Sequence, residues 1–93
     1  MSEEKHRFSL ELSVDNPENG RVCAIEMGPY ETLIEAVNVA EYVRGSVAQT
    51  VLDTNADAEI YDAGEGDLKR EIVGCTLNVF TDEYGTEADY DLY

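Results

Sequence analysis

The chain has 93 residues, with 21 Asp and Glu against six Lys and Arg, and a formal net charge of −15. An apolar fraction of 43% is typical of globular proteins, so length and composition predict a single acidic domain over residues 1–93. The charge disfavours direct binding to nucleic acid or to an anionic membrane, because both require a cationic protein surface.

The N-terminal segment MSEEKHRFSLEL lacks the apolar stretch of a signal peptide, and no apolar run approaches the ~20 residues of a membrane span. We therefore expect a cytoplasmic protein in which residues 1–6 are frayed. Cys23 and Cys75 lie in apolar, strand-like runs, so both are predicted to be buried free thiols in a reducing compartment.

The first part of the chain predicts two strands. Residues 7–14 alternate between apolar and polar, as in a half-buried strand. Turn-forming residues follow and end in Asn19-Gly20, a strong hairpin signal. Residues 21–27 predict the second strand, which Gly28-Pro29 is expected to end. The apolar face of the first strand comprises Phe8, Leu10, Leu12 and Val14.

Residues 31–52 change to helical spacing and predict one long helix. Gly45 is a weak point at which this helix can bend or restart. Residues 58–63 and 68–80 predict two further strands, joined through the glycines of segment 64–67. The apolar stripe of the helix comprises Leu33, Val37, Ala40, Val47 and Val51, widened by Ala36 and Val43.

The C-terminal segment 86–92 keeps a period of two, with carboxylates at 87, 89 and 91 and Ala88, Tyr90 and Leu92 between them. A disordered acidic tail has no reason to keep that period, so the segment predicts an edge strand. The fold class predicted overall is α+β: an antiparallel four- or five-stranded sheet with one long helix on one face, in the order ββαββ(β).

One segment has the oxygen-rich alternation with which an EF-hand calcium loop begins. Its candidate ligands are Asp53, Asn55, Asp57 and Glu59. Ala58 stands where that loop needs Gly, and Gly64 stands where it needs a bidentate Glu. The alternative interpretation is a polar loop that caps the end of the helix, and calcium binding is the third functional hypothesis.

The chain carries no complete catalytic or cofactor motif. His6 is the only histidine and lies in a charged N-terminal segment, while both cysteines are predicted to belong to the core. The GEG sequence at 64–66 is too short for a phosphate loop, and its acidic neighbours would repel phosphate. We therefore predict a protein that is not an enzyme and has no cofactor.

The acidic surface itself is the predicted functional feature. Two residues of a strand advance about 6.6 Å, which is the order of the spacing of phosphates along a nucleic-acid strand. An ordered row of carboxylates can thus occupy a protein groove built for nucleic acid, so the predicted partner is a basic, nucleic-acid-binding protein. The chain itself is predicted to be a monomer or a homodimer. The predicted partner-binding residues are Glu31, Glu35, Glu41, Tyr42, Tyr84, Glu87, Asp89 and Asp91.

In size, charge and lack of catalytic motifs, the chain resembles the small acidic proteins by which phages and mobile elements block restriction or CRISPR systems. That resemblance implies a non-catalytic inhibitor in a host cytoplasm, and it transfers no functional residue. The alternative hypothesis is a generic small domain of a halophilic organism, in which the acidity serves solvation and no single carboxylate matters.

Overall fold

The computed structural model describes residues 6–15, 23–61 and 69–93. The five strands of this part form one antiparallel sheet in the order β3-β2-β1-β4-β5. The predicted α+β class with an antiparallel sheet is confirmed. In chain order, the elements are β1 (Arg7–Val14), β2 (Cys23–Tyr30), α1 (Leu33–Val43), α2 (Ala48–Thr54), β3 (Glu59–Tyr61), β4 (Ile72–Thr81) and β5 (Gly85–Asp91).

The core lies on one face of the sheet, with β1 at its centre. Leu10 and Leu12 are fully buried there, and Leu12 lies opposite Ile25 of β2 and Cys75 of β4. Full burial of a side chain of this size stabilises the fold by about 1.5–3 kcal/mol. Both helices pack on this same face, through Ala36, Ala40, Val43, Ala48 and Val51.

The prediction of one long helix is wrong, because the chain forms two helices separated at Gly45. Gly45 adopts a left-handed conformation with φ 72°, which ends α1. The linker then bonds to the start of β4: Ile72 donates to the Ser46 carbonyl, and Ala48 donates to the Arg70 carbonyl. A continuous helix would use those linker groups internally, so these tertiary hydrogen bonds favour the break.

The residues that face the core differ in part from the predicted apolar stripe. Leu33 and Val47, both predicted in the apolar stripe, are 48% and 37% exposed. Ala48 is buried in their place because α2 begins a new helical phase. The observed element order is therefore ββααβββ rather than ββαββ(β).

Two strand boundaries differ from the predicted ones by three or more residues, and several others differ by one. Strand β2 continues through Gly28-Pro29 to Tyr30, and a register shift against β1 accommodates the extra residue. Strand β4 begins at Ile72 rather than 68. The predicted turn at Asn19-Gly20, the connection at 64–67 and the interpretation of residues 1–5 fall outside the described part of the chain.

The predicted burial of Cys75 as a free thiol is confirmed. Its thiol lies on the core face of β4, and burial is the main reason that its pKa rises to about 11. The corresponding prediction for the Cys23 side chain lies outside the described part.

Candidate protein-binding face

The second face of the sheet is uncovered in the described part of the chain, because both helices pack on the first. We call it the open face. Strand alternation places the polar positions of every strand on it, since each lies one residue away from a core position. Its side chains include Glu11 and Ser13 of β1, Glu26 of β2, Glu59 and Tyr61 of β3, Thr76 and Asn78 of β4, and Asp89 and Asp91 of β5.

The strand register aligns four carboxylates in one row across the open face. Glu59 lies opposite Glu26, and Glu26 lies opposite Glu11. Glu11 lies opposite Thr76, which in turn lies opposite Asp91. Neighbouring strands are about 4.8 Å apart, so the row crosses the sheet with acidic side chains at four of its five positions. We call the four carboxylate residues, Glu59, Glu26, Glu11 and Asp91, the acidic row.

Within the described residues, no ion pair neutralises the acidic row or Asp89. The Thr76 hydroxyl donates a hydrogen bond of 3.2 Å to Asp91. Arg7, at the end of β1, pairs instead with Asp82 at 3.2 Å and lies 5.9 Å from the centre of the Phe80 ring. Among the described residues, the negative charge of the acidic row and of Asp89 is therefore not neutralised by an ion pair.

Tyr61 shows the local effect of this charge. Its hydroxyl donates a 2.6 Å hydrogen bond to a Glu59 carboxylate oxygen. This bond is the main reason that the pKa of Tyr61 rises to about 12, and the Glu26 carboxylate adds to the shift. Through this bond the Tyr61 hydroxyl donates to one member of the acidic row, Glu59.

The acidic residues of β5 do not all share one environment. Asp89 and Asp91 lie on the open face, opposite Asn78 and Thr76. Glu87 falls at a register shift between β5 and β4 and bonds to the His6 ring nitrogen at 2.7 Å. Tyr84 lies in the turn between β4 and β5 and is 65% exposed.

The helical members of the predicted site lie on the opposite layer. Glu35, Glu41 and Tyr42 are exposed positions of α1, and Glu31 is an exposed position just before it. Glu41 lies 4.0 Å from Arg44. The two predicted groups of carboxylates are therefore separated by the sheet and do not form one continuous surface.

The candidate calcium ligands take separate structural roles. Asp53 accepts from Gln49 at 2.7 Å, Asn55 donates to the Val51 carbonyl at 2.8 Å, and Glu59 accepts from Tyr61. The Asn55 bond caps the end of α2, as the alternative interpretation expected. No group of three or more His, Cys, Asp or Glu in the described ranges is arranged to hold a metal ion.

A cavity of about 330 Å³ lies beside the end of β2, the start of α1 and the loop before β3. Its walls include Tyr30, Glu35 and Asp57. Burial is the main reason that the pKa of Tyr30 is raised, and the two carboxylates add to it. The buried Cys75 thiol is not among the lining residues of this cavity.

The strongest part of the candidate face was missed by sequence reasoning. Glu11 and Glu26 were not predicted as partner-binding residues, although both alternate with apolar neighbours and so belong to a solvent-facing side. The signal that joins them is the register of β1 against β2, which depends on pairing between strands.

Comparisons of the chain with protein-family models, with curated proteins and with solved structures find no match. In the described ranges, neither helix is long and apolar enough to cross a membrane.

Proposed function

We propose that this protein is a non-catalytic binding protein whose open face occupies a basic, nucleic-acid-binding surface of a partner protein. The acidic row is the observation that carries the proposal. It holds four carboxylates on a folded, five-stranded sheet, with Asp89 beside it. Arg7, which alternation also places on the open face, pairs with Asp82 rather than with the acidic row. A blocking role against a restriction or CRISPR system remains the setting we expect.

The ordering of the carboxylates matters for this function. Backbone pairing fixes the strands, so the binding charges are held in place before the partner arrives and little further ordering is needed. Charge complementarity raises the association rate, and release of counterions from both surfaces adds affinity at low salt. The partner's nucleic acid would compete for the same cationic groups.

The test compares two triple variants with equal changes in net charge. One carries Glu11→Gln, Glu26→Gln and Asp91→Asn on the open face, and the other carries Glu31→Gln, Glu35→Gln and Glu41→Gln on the helical layer. Immobilised wild-type chain is used to recover a basic partner from cell extract by elution with duplex DNA, and its affinity for each chain is then measured.

We expect the open-face variant to bind about 3- to 150-fold more weakly, because exposed charge pairs contribute about 0.2–1 kcal/mol each. The helical-layer variant should bind close to wild type. Equal losses in the two variants would show that only net charge matters, and recovery of no basic protein by duplex DNA elution would contradict mimicry.

The halophile hypothesis has support from the same open face, because unpaired surface carboxylates also hold hydrated cations. Unfolding in dilute buffer and in molar KCl separates the two. A binding protein of the proposed kind stays folded in dilute buffer, whereas a halophilic domain unfolds there because its carboxylates repel one another.

A further inference from the structure

In the described part of the chain, strand β5 lies at the edge of the sheet and pairs with β4 alone, so one side of its backbone is unpaired there. Its C-terminal end shows how the backbone alternates. Leu92 and Tyr93 both donate to the Cys75 carbonyl, at 2.8 and 3.5 Å, and Cys75 donates to the Tyr93 carbonyl at 3.0 Å. Two residues of one strand thus oppose a single residue of β4, as in a β-bulge.

This bulge fixes the direction of the preceding backbone groups. Antiparallel pairs alternate between hydrogen-bonded and non-bonded, so Tyr90 and Ala88 turn their N–H and C=O groups toward β4. Asp91 and Asp89 occupy the alternate positions, where both backbone groups point to the free edge. The two residues that present backbone hydrogen-bonding groups at this edge also carry two of the three carboxylates of β5, the third being Glu87.

The two sides of this edge differ in chemistry. Asp89 and Asp91 place charge on the open face, while Tyr90, opposite Leu77, lies on the helical side and is 56% exposed. A strand added here would meet carboxylates on one side and an aromatic ring on the other. Basic residues at every second position, with apolar or aromatic residues between them, fit both sides.

A second copy of the chain fits this edge poorly. Antiparallel pairing of two β5 strands about Tyr90 would place Asp89 of each copy opposite Asp91 of the other, and like charges directly opposite are destabilising. The other edge strand, β3, spans only Glu59–Tyr61. The free edge of β5 therefore suits an extended basic segment of a different protein.

We propose that the edge of β5 receives an extended strand of the basic partner, with Lys or Arg at alternate positions beside Asp89 and Asp91. This inference rests on the proposed function and specifies how the partner binds: main-chain hydrogen bonds supply affinity, and the alternating charges set the register.

The probe is a seven-residue peptide with Lys at every second position and Thr or Val between, capped at both ends. We expect addition of this peptide to the full chain to shift the NMR signals of the Asp89 and Asp91 amides and to slow their hydrogen exchange. A peptide of the same composition with its lysines grouped together should bind at least about tenfold more weakly, because charge no longer matches the alternation. Equal binding of the two peptides would overturn the strand-addition model.

Two variants at one position separate charge from backbone bonding. Asp89→Asn keeps the outward N–H and removes the carboxylate, so binding should weaken several-fold. Asp89→Pro also removes that N–H, and proline is tolerated at an edge position whose N–H faces solvent. We expect the proline variant to lose peptide binding while keeping the wild-type circular dichroism spectrum. Glu35→Gln on α1 is the matched charge control.

If Asp89→Pro does not fold, N-methylation of the peptide at the residues facing Asp89 and Asp91 removes the same hydrogen bonds from the other partner. Undiminished binding of the N-methylated peptide would overturn the inference. Peptide-induced shifts confined to Glu11 and Glu26 would also overturn it while supporting the proposed function. If the peptide binds neither the β5 edge nor the acidic row, both the inference and the proposed function are contradicted.

Discussion

The two faces of the sheet come from the same strands but differ in how their side chains pair across strands. On the covered face, Leu10 and Leu12 of β1 meet apolar residues of β2 and β4 and are fully buried under the helices. On the open face, Glu11 lies between them in sequence and meets Glu26 directly. The first arrangement lowers the free energy of the fold, whereas the second places like charges side by side.

This contrast indicates that stability does not explain the open face. Alternate polar residues of either sign would keep the sheet hydrated, and an acidic residue opposite a basic one would add a favourable cross-strand pair. On β1, β2 and β3, the residues of the acidic row lie opposite other glutamates rather than basic residues. We interpret this lack of favourable cross-strand pairs as a reason to propose a binding function for the open face.

A core truncation on the covered face should change the free energy of unfolding most. Leu12→Ala leaves a cavity at the centre of the core, so we expect the free energy of unfolding to fall by about 2–5 kcal/mol. Ser13→Ala, the next residue on the open face, should change it by less than about 0.5 kcal/mol. Urea denaturation followed by circular dichroism measures both, and similar losses would contradict the assignment of the two faces.

Alkaline pH should also lower the stability of the fold through groups on the covered face, and this effect ranks second. Burial is the main cause of both shifts here, raising the pKa of Cys75 from 9.0 to about 11 and that of Tyr93 from 10.0 to about 12. The fold therefore favours both neutral forms, and their contribution to stability is complete below pH 9 and is lost as the pH rises to about 12. Thermal melts at increasing pH check this decline.

Tyr93→Phe is the control for the alkaline prediction. This change removes one titrating group and the 2.7 Å hydrogen bond from the Tyr93 hydroxyl to the Ala40 carbonyl. The variant should be less stable at neutral pH by about 1 kcal/mol, and its stability should fall less steeply between pH 10 and 12. A slope unchanged by the substitution would show that Tyr93 is not the group responsible.

The smallest expected effect has the opposite sign and lies on the open face. Glu26→Gln removes a carboxylate flanked by Glu11 and Glu59, so it should stabilise the fold by about 0.2–1 kcal/mol at low salt. The gain should shrink in 0.5 M NaCl because salt screens the repulsion. Glu41→Gln on α1 removes a pair with Arg44 and should give no gain. A destabilised Glu26→Gln chain would show that this carboxylate has a structural partner.

Local patterns predicted most of the fold. The alternation in 7–14 and in the C-terminal segment corresponds to β1 and to β5 at the sheet edge. The split of the helix was not predicted because it depends on two hydrogen bonds to residues far along the chain, one from Ile72 to the Ser46 carbonyl and one from Ala48 to the Arg70 carbonyl. Glycine at 45 marked the position of the break, but only those distant bonds decide between a bend and an end.

The candidate site was predicted less completely for the same reason. Period two identified Asp89 and Asp91 as neighbours along one strand, but the acidic row runs across strands. Its members come from four separate segments, and only the register of each pair brings Glu11, Glu26 and Glu59 together. A pattern that exists only between strands leaves no periodic trace in the sequence.

The salt dependence of partner binding tests whether the partner binds the open face rather than the helical layer. Affinity of the recovered basic partner is measured from 50 to 500 mM NaCl for wild type and for the two triple variants. We expect the logarithm of affinity to fall linearly with the logarithm of salt concentration. The slope should be shallower only for the Glu11, Glu26 and Asp91 variant. A slope that changes equally in both variants, or only in the Glu31, Glu35 and Glu41 variant, would contradict the assignment of binding to the open face.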